Sequence, residues 1–179
     1  MASSLKPQDV VVLVKLCGYE SQSRPPFSVI AAALEISQSE INASVKRLQS
    51  AKLLNPKELG ELPINVAVEE FLIHAVKYAF PVKRGHWVRG MPTSYAAEPL
   101  NQIIVPGGDP IPVWPDPLGK ERGLSLLPLY RSVPNAARRD TLLYSRLAML
   151  DAIREGGARQ TRIAETELVK SLRHPNGKQ

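Results

Sequence analysis

Apolar residues recur at helical spacing near both ends of this 179-residue chain and lose that period between them. Near the start, Val10, Val11, Leu13, Val14 and Leu16 give a broad apolar face behind Pro7, which suits a first helical turn. Gly18 ends that run. A second, short helix is expected over Val29 to Leu34, with Ser28 as its cap. A third begins after Ser37 and runs to about Ala51. Ser37 and Glu40 stand in the S-x-x-E spacing of a capping box, and Ile41, Val45 and Leu48 mark the buried side. Residues 56–63 read as a turn. Asn65 is placed to cap a helix from Val66 to about Ala79, which Pro81 stops.

The middle of the chain is different. Ten of the sixteen prolines lie between Pro81 and Pro134, together with both tryptophans. The run VPGGDPIPVWPDP cannot be helical, and its prolines argue against an internal sheet position. The apolar residues around it argue against a free linker. An extended segment that packs on its own core or on a partner is therefore expected. Helical signals return at Pro134 to Arg139. Asp140 is placed to cap a longer helix to about Glu155, Gly156-Gly157 turns the chain, and a last helix covers Ala158 to Leu172.

The outward face of the third helix carries the chemistry. Gln38, Asn42, Lys46 and Gln49 form one stripe, flanked by Ser39, Arg47 and Ser50. Gln and Asn can make paired hydrogen bonds to adenine, while Lys and Arg read guanine or grip phosphate. Glu40 is the only acid on the helix. Small residues Ala31 to Ala33 allow a close crossing by the preceding helix, as a helix-turn-helix requires.

The stretch IAAALEISQSEINASVKRLQSAKLL resembles the winged helix-turn-helix of MarR-like bacterial transcriptional regulators. Ile30, Ala31, Leu34, Ile36, Ser37, Ile41, Arg47, Leu48 and Leu53-Leu54 match their pattern in order. The resemblance covers about residues 6–80 and implies a three-helix core with a β-wing, duplex DNA on helix three and a homodimer. Glu35 replaces the turn glycine, and the region 55–62 offers only a short wing with Lys57 as its cation. The expected fold is thus mainly α: a winged helix-turn-helix DNA-binding domain (1–80), a Pro-rich extended segment (81–132) and a C-terminal helical region suited to dimerisation (133–179).

Charge and composition narrow the classes. The net charge is +6, and residues 111–179 hold twelve basic against seven acidic side chains, so the excess lies away from the helix-turn-helix. One cysteine, Cys17, fits a reducing, cytoplasmic compartment, and no stretch approaches transmembrane length. His74, His86 and His174 show no metal-ligand spacing, and His74 is expected to be partly buried. No acid/base pair, triad or phosphate loop assembles, so neither an enzyme nor a cofactor is expected. In KRGHWVRGMPTSY, Lys83, Arg84 and Arg89 with Trp87 could contact nucleic acid; the favoured reading has the aromatics pinning the segment to the core. The C-terminal arginines are expected mostly on solvent faces.

The expectation is a sequence-specific regulator of double-stranded DNA, a homodimer on an inverted repeat joined through helix one and the last helices. Gln38, Ser39, Asn42 and Lys46 would face bases, while Ser37, Arg47, Gln49 and Lys57 would position the backbone. The alternative is an antitoxin-like or adaptor protein that holds a protein partner through the Pro-rich segment and C-terminal helices. The MarR-like resemblance would also allow a small-molecule pocket between helices, though no residues commit to a ligand.

Overall fold

A computed structural model describes residues 4–19, 24–105 and 107–174. Helix α1 (Pro7–Leu16) is apolar on nearly every side, and Val10 to Val14 and Leu16 are all buried. A helix of that kind belongs at the centre of a core. It packs on the helices over Gln38–Ser50 and Thr141–Glu155. The apolar side chains that suggested a dimer surface are buried within the chain itself.

Helix α2 (Phe27–Leu34) starts two residues before the expected position, with Pro26 rather than Ser28 at its cap. Glu35 then takes a left-handed backbone, φ 53°, which costs a non-glycine residue about 1–2 kcal/mol. A clamp from the C-terminal region holds it. Arg139 donates to the Glu35 carboxylate at 2.6 Å, Asn135 donates at 3.1 Å, and Ser132 Oγ donates to the Leu34 carbonyl at 2.6 Å. Helix α3 (Gln38–Ser50) follows, and Ile41, Val45 and Leu48 are buried as expected.

The expected wing does not form. Residues 55–62 fold around a single 3-10 turn (Lys57–Leu59), and one isolated bridge, Leu54 to Pro63, replaces the hairpin strands. The next helix is continuous but changes pitch: α4 (Asn65–Glu70) and α5 (Val76–Ala79) are joined by a π-turn, Phe71–Ala75. That turn lets adjacent Leu72 and Ile73 both reach the core. His74 is exposed rather than partly buried.

The mainly α, winged fold expected from sequence is therefore incorrect, and the largest departure lies in the Pro-rich region. Instead of an extended segment, it forms a closed three-stranded barrel of β1 (Arg84–Pro92), β2 (Pro112–Pro115) and β3 (Glu121–Leu126). β1 is antiparallel to both neighbours, while β2 and β3 run parallel. The prolines are tolerated because neighbouring bonds use other groups. The Pro112 and Ile111 carbonyls accept from Thr93 and Leu124, and Asp116 donates to Arg89, so no proline N–H is needed.

Helices α6 (Val133–Arg139), α7 (Thr141–Glu155) and α8 (Ala158–Arg173) complete the chain near their expected bounds. Asp140 caps α7 by accepting from the Leu143 amide at 2.9 Å. α7 is buried along most of its length and touches the N-terminal helices, the barrel and α8. Buried residues from all three stretches of the chain form one hydrophobic cluster, from Val10 through Trp114 to Leu168.

A candidate nucleic-acid interface

Ser37 fixes the beginning of α3: its Oγ accepts from the Glu40 amide at 3.3 Å. The reciprocal half of the expected capping box is absent. Glu40 turns its carboxylate to Arg47, with Gln8 donating to the same oxygen at 3.1 Å. The Arg47 hydrogen bond holds Glu40 below the usual carboxylate range against the opposing effect of burial, with Gln8 and Lys6 assisting.

That arrangement removes the helix's one acid from its outer stripe and removes one predicted DNA contact as well. Arg47 is buried. Its Nε and Nη2 donate to both oxygens of fully buried Asp9 on α1, each at 2.7 Å, and Nη2 also reaches Ser44 at 3.1 Å. The hydrogen bonds it donates to Asp9 raise the Arg47 pKa further, outweighing burial. Arg47 fastens α3 to α1, and its burial sets it apart from the exposed stripe.

The remaining candidates divide cleanly. Gln38, Ser39, Asn42 and Lys46 are exposed on one side of α3. Ser37 is exposed but occupied as the cap, and it shares a 3.1 Å contact with Ser39. Gln49 is half-buried, donating to the Asn55 carbonyl at 3.1 Å, so it braces the chain after α3. Lys57 is exposed on the 3-10 turn.

A second surface lies on the barrel. Trp87 is 55% exposed, so it does not pin β1 to the core as expected; Tyr95 and Trp114 are the buried aromatics there. Trp87 pairs with Leu124 and Arg89 pairs with Arg122 across β1 and β3, placing all four on one face. Both arginines are exposed, and like charges directly opposite cost stability on their own. Arg89 stands two residues after Trp87 in the sequence. Arg122 joins them only through the register.

Of the C-terminal arginines, Arg138, Arg139, Arg159 and Arg162 are exposed, as expected of most of them, whereas Arg146 and Arg154 are buried. Arg138 also pairs with Asp116, and Arg139 with Glu35. Among the described residues, no group of three His, Cys, Asp or Glu side chains could hold a metal ion. Cys17 is half-buried, and burial pushes its thiol up to about 12. No described helix is long and apolar enough to cross a membrane. Compared with protein-family models, curated proteins and solved structures, the chain matches none.

Proposed function

We propose that the protein binds double-stranded DNA sequence-selectively through the exposed face of α3 and acts as a transcriptional regulator, as a homodimer on an inverted repeat. One observation carries this reading. Gln38, Ser39, Asn42 and Lys46 share an exposed stripe from which the helix's only carboxylate, Glu40, is drawn away by Arg47. Amide side chains and a cation on an acid-free helix face suit base edges in a major groove. The likeness of residues 30–54 to MarR-like regulators points the same way. The Trp87, Arg89 and Arg122 face would add a contact to the DNA backbone that does not depend on sequence.

Fluorescence anisotropy tests the reading, using a labelled duplex from immediately upstream of the gene beside a shuffled duplex at two salt concentrations. Selective binding should survive the higher salt. Asn42→Ala and Lys46→Ala should each reduce it roughly tenfold, as expected for about 1–3 kcal/mol per base contact. If both variants read the duplex as well as the unmodified protein does, the assigned face is wrong.

A further inference from the structure

Arg146, on α7, is fully buried, yet among the described residues no carboxylate pairs with its guanidinium, as buried arginines usually require. Nε donates to Ser171 Oγ at 2.9 Å, and Nη2 donates to the Ser171 carbonyl in the last turn of α8. Nη1 has no hydrogen-bond partner among the described residues. It lies toward Gly18, where an added Cβ would stand 3.9 Å from it. Arginine does not lose its proton inside a protein, so the charge stays in place.

A cleft of about 130 Å³ opens at that point, bounded by Lys15, Gly18, Tyr19, Asp140, Leu143 and Arg146. Asp140 is the acid facing it, and both of its oxygens are engaged. One accepts from Lys15 Nζ at 2.6 Å and the other from the Leu143 amide at 2.9 Å. Among the described residues, two cations and one carboxylate line this small space, an excess of one positive charge. The ammonium of Lys15 retains donors beyond the one given to Asp140. The cleft is small, with room for a compact ligand. That suits a compact oxyanion, and it is well below the roughly 300 Å³ from which pockets for larger organic ligands begin.

We propose that this cleft binds a small oxyanion of phosphate size, held by Arg146 Nη1 and Lys15 Nζ between the end of α1 and the start of α7. The site is separate from the DNA-facing stripe, and its occupancy does not depend on DNA binding.

The test is thermal unfolding of the full chain at pH 7 with 0 to 20 mM potassium phosphate, ionic strength held constant with potassium chloride. The unfolding midpoint should rise by several degrees and saturate, because a ligand of the folded state alone stabilises it by mass action. Arg146→Met should fold, since a hydrophobe of similar volume often replaces a buried ion without loss, and should show no saturating rise. Lys15→Gln leaves Arg146 in place and should weaken the response; it keeps the proposal testable if Arg146→Met does not fold. Isothermal titration of phosphate into the unmodified protein gives an independent reading. An equal, unsaturated rise in the unmodified protein and the Arg146→Met variant would be a bulk salt effect and would overturn the site. So would the absence of any response in the unmodified protein.

Discussion

Arg47 of α3 grips Asp9 of α1 through two parallel 2.7 Å hydrogen bonds, inside a protein whose sequence puts that arginine among the DNA contacts. Side-chain exposure is 8% for Arg47 and 0% for Asp9, so the pair is buried. Removing one partner of such a pair leaves an uncompensated charge and typically costs about 3–5 kcal/mol. Asp9→Ala should lose stability of that order, measured as a drop in the urea midpoint. The double variant Asp9→Leu with Arg47→Met should recover much of it, because two apolar side chains leave no orphan charge.

Acid should weaken the same junction. Arg47 holds Glu40 below its ordinary value of 4.5, so the folded state binds that proton less readily than the unfolded chain. The resulting stability is fully present above the unfolded value. It is lost as pH falls from about 4.5 toward the lower folded value. Urea midpoints should therefore decline through this range, and Glu40→Gln should show a shallower decline.

The sequence made the helices legible and left the barrel hidden, for a physical reason. Helices such as α3 and α7 announce themselves through local spacing, caps and glycine stops, all within a dozen residues. The barrel depends on pairings such as Gly90 with Pro115 and Arg84 with Leu126, which no local period encodes. Its shortest strand has four residues and two prolines, a pattern that argues against a sheet. The stripe Gln38, Ser39, Asn42 and Lys46 was likewise readable from helical spacing. Arg47 was misread because its partner Asp9 lies 38 residues away.

Asp151 should prove decisive for docking the barrel onto α7. It accepts from Trp114 Nε1 at 2.6 Å, Thr93 Oγ1 at 2.9 Å and Arg154 Nη1 at 2.6 Å, all in buried surroundings. Asp151→Ala would orphan three donors at once, one of them charged, with a cost on the order of 3 kcal/mol or more. Tryptophan fluorescence reads the effect directly. Trp87 should be quenched by iodide in the unmodified protein, whereas Trp114, 1% exposed, should become quenchable only in the variant.

Gly119 should tolerate no side chain. A Cβ there would fall on the backbone of Gly90, and one on Gly90 would fall on the Trp114 carbonyl. Neither neighbour can rotate away as a side chain would. Gly119→Ala should destabilise by on the order of 3 kcal/mol, at the upper end of overpacking costs, seen as a lowered thermal midpoint.

Replacing Arg89 and Arg122 together should separate affinity from selectivity. Each phosphate contact contributes about 0.9 to the slope of log affinity against log salt. Arg89→Ala with Arg122→Ala should therefore flatten that slope by up to about 1.8, while the preference for the upstream duplex over the shuffled one stays unchanged. Titrations at several salt concentrations measure both.

Closure of the barrel bears on how this protein meets others. A strand at a sheet's edge offers unpaired amides to any passing extended chain, including a second copy of itself. Here each strand has both its neighbours. Where the ring closes, over Gly90–Pro92 of β1 and Pro112–Val113 of β2, an extended partner finds no free edge. Association there must use side chains already facing solvent, so a single point change on an outer face can abolish a partnership and leave the fold intact.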